Sequence, residues 1–264
     1  MTAVDPVFSS LREKGEIKNL LDILQPDDFD EFVSGLLIKL QSLCKEIAFQ
    51  ADKFYFQGEE SISAVLAMLL EQAGYRAQQE PAIRGHIDIL VEKDGFRWII
   101  EAKIGYSNSK ILEGLLQLST RYLSDERSAC LIIFYKKNKY KEKMRKWRQY
   151  IDNESWRNYA KQYNFQAEAE QYLKDTKTYD ESCCIDPNFV FDVNVNGVDA
   201  VKIYNIAINV YFNPLDSSGR KNKELQEQNQ VEYLKQTYFD FKDDNSKYDI
   251  DKIIKAIEKI YDLS

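Results

Sequence analysis

Histidine and cysteine are scarce in this chain of 264 residues. The single histidine is His86, and the four cysteines are Cys44, Cys130, Cys183 and Cys184. The cysteines lack the spacing of a metal site, and two of them are adjacent. A lone histidine is more often a structural group than a ligand. We therefore expect free thiols, as in a reducing cytoplasm, and chemistry carried by other side chains.

Long apolar runs are also missing. No stretch approaches the roughly 18 apolar residues of a membrane span, and the N-terminus lacks a signal-peptide pattern. The formal net charge of −7 argues against a general nucleic-acid coat protein, although local charge matters more than the sum. The hydrophobic content of 44% supports a core. We expect a soluble cytoplasmic protein without a membrane partner, of one large or two small domains.

The most informative stretch is a hairpin with acids on both strands. Asp94-Gly95 between two apolar runs predicts a two-residue turn. Counting outward from this turn places Asp88 opposite Glu101, with Cβ atoms roughly 5 Å apart. Lys103 points to the same face, two residues after Glu101. Opposed carboxylates repel unless a cation lies between them, so the pattern predicts a site for a hard cation.

This spacing resembles a known family. Gly-x-x-Asp, followed after about a dozen residues by Glu-x-Lys, resembles the core motif of the PD-(D/E)XK nuclease superfamily. Asp88 matches the first acid and residues 101–103 match the triplet, while Ile87 stands where the family name has proline, which many members lack. The resemblance covers about residues 57–137. It implies an αβββαβ core and Mg²⁺-dependent hydrolysis of phosphodiester bonds.

The elements around the motif follow the order of that core. Apolar spacing predicts a helix that starts after Gly58 and ends at Gly74, and a short strand follows it. A second helix follows the Glu-x-Lys triplet, and a continuous apolar run after it is typical of a buried central strand. The predicted strand ranges are 75–80 and 129–135, and the second helix runs through 111–122.

The resemblance also implies roles. Asp88 and Glu101 would hold Mg²⁺ or Mn²⁺, helped by the Ala102 carbonyl and by water. Lys103 would orient the attacking water or neutralise the phosphate.

The family often adds a further acid from its first helix, which completes the metal shell or holds a second ion. Glu59 and Glu60 both fit, and the sequence does not choose between them. Their simpler role is that of acids at a helix N-terminus. Gln117 matches a glutamine that many members place near the site. The alternative interpretation is that Gln117 is simply a solvated polar residue.

A basic cluster follows the last core strand, with only Glu142 opposed to it. It suits a ridge that binds phosphates, and the interleaved Tyr140 and Trp147 could stack on bases. The alternative is a solvated helix face. The cluster contains Lys136, Lys137, Lys139, Lys141, Lys143, Arg145, Lys146 and Arg148.

The predicted fold class is α/β, with α and β elements mixed, in three regions. Residues 1–56 form a helical extension whose second helix, from Pro26, packs on the core or forms a dimer face. Residues 57–150 form the restriction-endonuclease-like core with the basic ridge. Residues 151–264 form a C-terminal helical and β-hairpin region of unknown role. We expect 215–248 to be partly loop, and an amphipathic helix to follow it.

The predicted function is a Mg²⁺-dependent endonuclease that acts on DNA, with a role in restriction or phage defence by analogy alone. RNA as substrate and attack from a chain end stay open, as do a homodimer and a protein partner. The alternative is an inactive nuclease-like fold that serves as a nucleic-acid-binding or regulatory module.

Overall fold

A single mixed sheet of seven strands organises the computed structural model, which describes residues 26–81, 85–124, 126–195, 198–244, 246 and 248–263. The strands are β1 (Arg76–Gln79), β2 (Ile89–Lys93), β3 (Phe96–Ile104), β4 (Ser128–Tyr135), β5 (Thr178–Tyr179), β6 (Phe189–Val195) and β7 (Val198–Asn209). Their order across the sheet is β1-β2-β3-β4-β7-β6-β5. The pairs β3–β4 and β4–β7 are parallel and the others are antiparallel.

Helices cover both faces of the sheet. None of the described helices is both long and apolar enough to cross a membrane. The first helix expected between residues 7 and 50 lies outside the described residues. The described helices are α1 (Phe29–Phe49), α2 (Ala51–Phe54), α3 (Glu59–Gln72), α4 (Asn108–Gln117), α5 (Tyr140–Asp152), α6 (Trp156–Gln162), α7 (Gln166–Leu173), α8 (Ser217–Lys221), α9 (Lys223–Asp243) and α10 (Ile250–Tyr261).

The hairpin has the predicted register. Asp94 and Gly95 form its turn with φ angles of 50° and 87°, a left-handed conformation that glycine tolerates best. Lys93 pairs with Phe96, and the last pair of the hairpin joins Ile89 to Ile100. One residue further out, residue 88 therefore stands across from residue 101. The pairing predicted from the turn is confirmed as far as Ile89, and Asp88 lies just beyond the last paired residue.

The central strand β4 is buried at every position, which explains its continuous apolar sequence. Parallel strands need a crossover, and α4 provides it between β3 and β4. Helices α1 and α3 pack on one face of the sheet, and α4 to α7 pack on the other. The mixed α/β class is confirmed, and the order α3, β1, β2, β3, α4, β4 is the one expected.

The C-terminal region extends the same sheet through β5, β6 and β7. The indole of Trp147 on α5 donates a hydrogen bond of 2.9 Å to Asn205 on β7, which ties the region to the core. Helices α8 and α9 take up most of 215–248, so loop is limited to short stretches of the described part of this region, which was expected to be partly loop. The sequence of α9 has few apolar residues at helical spacing, so polar contacts with other segments hold much of it in place.

Candidate functional site

Two carboxylates take the place of a strand at the edge of β3. Strand β2 stops pairing after Ile100, so the next amides on that side of β3 have no strand partner. The amide of Ala102 donates to Asp88 Oδ2 at 2.7 Å, and the amide of Ile104 donates to Glu59 Oε2 at 2.7 Å. Charge-assisted hydrogen bonds of this kind fix both acids beside the strand.

The Lys103 ammonium lies among three carboxylates. It forms a short contact with Glu101 Oε1 and lies 3.4 Å from Glu59 Oε1 and 3.8 Å from Asp88 Oδ2. It also donates to the Ala102 carbonyl at 2.8 Å. The Lys103 side chain is 7% exposed and that of Glu101 is 2% exposed, so the innermost ion pair is shielded from water. The hairpin acids and the helix acid thus meet at one point.

The electrostatics follow from burial and crowding. Burial raises the pKa of Glu101 to about 8, because it outweighs the opposing charge of Lys103, while Asp88 and Glu59 push in the same direction as burial. Burial alone would lower the pKa of Lys103, but the neighbouring acids outweigh it and raise this pKa above its usual value. Both shifts favour the protonated form, so Lys103 keeps its positive charge more readily than Glu101 keeps its negative charge.

The donor set fits a hard divalent cation. Glu101 Oε2 is buried and has no hydrogen-bond partner among the residues that the structure describes, and a cation would satisfy it. Carboxylates of Glu59 and Asp88 and the Ala102 carbonyl supply further oxygens, the ligands that Mg²⁺ and Mn²⁺ prefer. Within the described ranges, no three Cys, His, Asp or Glu side chains form a ready metal-ligand group. A metal ion would have to share these oxygens with Lys103 or displace its ammonium.

The structure distinguishes the two candidate acids of the first helix. Glu59 reaches Ile104 and Lys103, whereas Glu60 is exposed and its backbone carbonyl accepts a hydrogen bond from Gln79. The choice depends on how the first turn of α3 docks against β3. It is a tertiary contact that the helical period alone does not reveal.

Helix α4 contributes close packing to the site. A Cβ built on Gly114 would lie 2.7 Å from Lys103 Cγ, so only glycine leaves room for the lysine stem. Gln117 lies one turn later on this face, and its Oε1 is buried without a hydrogen-bond partner. No described hydrogen bond joins Gln117 to the acids. Glycine inside an apolar helical pattern was the sequence signal for this close approach.

Tyr122, the last residue of the predicted second helix, also borders the site. Its hydroxyl donates to the His86 carbonyl at 2.7 Å, while the His86 side chain is exposed. Burial, Glu101 and Asp88 raise the pKa of Tyr122. It ends a π-helical turn, Leu118–Tyr122, and such turns are frequent at functional sites.

The basic cluster needs two corrections. Lys136 is 3% exposed and its ammonium pairs with buried Glu232 at 3.5 Å, so it cannot present its charge to a phosphate. Trp147 is fully buried in the core, so it cannot stack on bases. Lys136 follows β4 and points toward Glu232 of α9 and the Gln57 carbonyl, whereas Trp147 lies on the buried face of α5.

The remaining cations of α5 divide into two groups. The α9-side cations line a cleft of about 600 Å³ that also contains Tyr106 and Ser107, directly after β3. The opposite cations make ion pairs with Asp180 and Asp186. Lys137 lies over the ring of Tyr233, also towards α9. The α9-side cations are Lys139, Lys143 and Lys146, and the opposite cations are Lys141, Arg145 and Arg148.

Comparisons with known proteins add no identification. No family model matches the chain, and no match is found among curated proteins or solved structures. The geometry of the carboxylate site therefore carries the functional argument.

Proposed function

We propose that this protein is a metal-dependent nuclease of the PD-(D/E)XK type that hydrolyses phosphodiester bonds. The observation that carries the proposal is the meeting of Glu59, Asp88 and Glu101 around Lys103 at the free edge of β3. Nothing in the packing of a sheet requires three acids and a lysine there, and burying such a group is costly. Costly charge clusters in a protein are often functional.

The residues would divide the work as follows. Asp88, Glu101, Glu59 and the Ala102 carbonyl would hold Mg²⁺ or Mn²⁺, which when bound lowers the pKa of a coordinated water and stabilises charge on the phosphate. The hydrogen bonds from backbone amides to Asp88 and Glu59 would keep these two ligands in place between turnovers. Lys103 would orient the attacking water or neutralise the scissile phosphate.

DNA is the proposed substrate, cut internally. The α9-side cations support this proposal because they line a cleft beside the turn that follows β3. Lysines bind phosphates as point charges without base-edge geometry, so they would grip the backbone without reading its sequence. A cytoplasmic role in restriction or phage defence rests on analogy with the family.

One experiment separates this function from the alternative. Circular and linear DNA are incubated with and without Mg²⁺, for the wild type and for Asp88→Asn. Cleavage of the circle that needs both Mg²⁺ and Asp88 supports the endonuclease, and loss of the linear DNA alone indicates exonuclease action.

The alternative is a nuclease-like fold that binds nucleic acid or regulates without turnover. The ion pairs between Lys103 and the acids favour it, because the ammonium offsets part of the negative charge of the cluster without a metal ion. DNA binding without cleavage under any metal condition would support this alternative. The same reactions run with RNA test the other open substrate.

A further inference from the structure

Helix α9 packs against the turn that follows β3. The hydroxyl of Tyr106 donates to Glu232 Oε2 at 2.8 Å, and its backbone carbonyl accepts from the side chain of Gln236. Its ring stacks on Phe239, with 5.2 Å between centroids and an angle of 7° between planes. The three α9 residues are four and three positions apart, so they form one face of the helix. Tyr106 lies two residues after Ile104, whose amide binds Glu59.

The same helix reaches the turn before α3. Glu232 is 0% exposed, and Lys136, 3% exposed, approaches it at 3.5 Å. The Lys136 ammonium also donates to the backbone carbonyl of Gln57, two residues before Glu59. A buried charge needs its partner, so this ion pair ties the Gln57 turn to α9. Glu232 thus contacts the turn after β3 directly, at Tyr106, and reaches the turn before α3 through Lys136.

We propose that Glu232 is a positioning residue that sets the Glu59 carboxylate against the Ile104 amide, so that α9 completes the carboxylate site. The part of this inference that concerns metal and cleavage rests on the proposed function. The arrangement assigns a role to the long polar helix, which no motif predicted. It also explains how Glu59 is held beside Asp88 and Glu101, although it lies far from them in the sequence.

The first test uses Glu232→Gln, which keeps the shape and removes the charge. Changes to groups that support metal ligands typically cost about 10- to 100-fold in metal affinity. We therefore expect the Mg²⁺ concentration for half-maximal cleavage to rise about tenfold, with the DNA affinity unchanged. The matched control is Leu225→Ala, a buried residue of the same helix outside the polar network. It should lower the Tm and leave the Mg²⁺ midpoint in place.

If Glu232→Gln does not fold, the double variant with Lys136→Met removes both charges together and keeps the test available. A shift of the Mg²⁺ midpoint in Leu225→Ala equal to that in Glu232→Gln would overturn the inference. The effect would then be one of general stability and not of positioning.

A double-variant cycle tests whether Glu232 acts through Glu59. In a Glu59→Ala background, Glu232→Gln should add no further shift in the Mg²⁺ midpoint, because the group that it positions is already gone. If the two shifts add, Glu232 acts by another route and the inference fails.

Amide hydrogen exchange separates this inference from the proposed function. In metal-free protein, the peptide that contains Ile104 should exchange faster in Glu232→Gln and in Glu59→Ala than in the wild type or Leu225→Ala. If the wild type does not cleave nucleic acid but this pattern holds, the nuclease proposal fails and the positioning role stands. Unchanged exchange at Ile104 in Glu232→Gln would overturn the positioning role, whatever the cleavage result.

Discussion

Asp88 accepts a hydrogen bond of 2.7 Å from the backbone amide of Ala102, at the position where β2 no longer pairs with β3. An acid therefore closes the edge of a strand that a neighbouring strand would otherwise cover. This bond fixes one oxygen of the carboxylate with a backbone group that side-chain substitutions leave in place. Replacing Asp88 by asparagine keeps an acceptor for the amide and removes only the charge.

This relationship defines the metal prediction. Asp88→Asn and Glu101→Gln should each weaken Mg²⁺ or Mn²⁺ binding by at least about tenfold, because each removes an anionic oxygen ligand. Isothermal titration calorimetry measures the affinity. Glu60→Gln is the matched control, since its side chain is exposed beside Glu59 and outside the site. Unchanged affinity in both site variants would contradict the assignment of the metal ligands.

Lys103→Ala should reduce phosphodiester cleavage by at least about 100-fold, because its charge is needed where negative charge develops. The loss of the ammonium also leaves three carboxylates without their common partner. We expect the metal-free variant to lose about 3–5 kcal/mol of unfolding free energy, the usual cost of breaking a buried ion pair. Mg²⁺ should restore more stability to the variant than to the wild type. Wild-type cleavage by a folded Lys103→Ala protein would show that Lys103 has no catalytic role.

The parts of the site that the sequence predicted are local. The Asp94-Gly95 turn and the two-residue period of the strands determine the register, so Asp88, Glu101 and Lys103 could be brought together without a structure. The parts that it missed depend on distant segments.

The sequence did not show which of Glu59 and Glu60 joins the site, because the choice depends on how α3 docks against β3. Lys136 was assigned to the phosphate-binding ridge because its partner, Glu232, lies far along the chain on α9. The helix α9 itself has few apolar residues at helical spacing, so the period that predicts an amphipathic helix was weak there.

Gly114→Ala should impair cleavage by displacing Lys103, because the added Cβ would lie 2.7 Å from Lys103 Cγ. Alanine at a helix interior normally adds roughly 0.5–1 kcal/mol of stability relative to glycine. We therefore expect a clear fall in the cleavage rate and only a small change in the Tm. Gly58→Ala is the control, since nothing lies within 4 Å of its added Cβ. Equal rates in the two variants would show that the packing of Gly114 on Lys103 is not required.

Glu101 should leave a signature in the pH dependence of stability. Burial raises its pKa from 4.5 to about 8 in the folded chain, so the folded state binds its proton more tightly than the unfolded state. This contribution to stability is complete below the unfolded pKa and is lost as the pH rises through about 8. Its slope is at most about 1.4 kcal/mol per pH unit.

Urea unfolding in chelator from pH 5 to pH 8 measures this slope. Glu101→Gln has no titrating group at this position, so its stability should fall less steeply over that window. Parallel pH profiles for the two proteins would mean that the Glu101 pKa is near its ordinary value.

The division of the basic cluster gives a test with an internal control of equal charge. Lys139, Lys143 and Lys146 are replaced by glutamine in one variant, and the opposite cations Lys141, Arg145 and Arg148 in another. Binding of duplex DNA is measured without metal ions, so that no cleavage occurs, over a range of salt concentrations. Each lost phosphate contact should flatten the slope of log affinity against log salt by about 0.9. We expect this flattening mainly in the α9-side variant, evenly across DNA sequences. Its Lys139 and Lys146 share one ion-pair partner, Glu142, whereas the opposite cations are paired with Asp180 and Asp186. Equal flattening in both variants would mean that DNA covers the whole of α5. Wild-type slopes in both would mean that the cluster is a solvated face, and that the acidic chain presents its substrate through a protein partner.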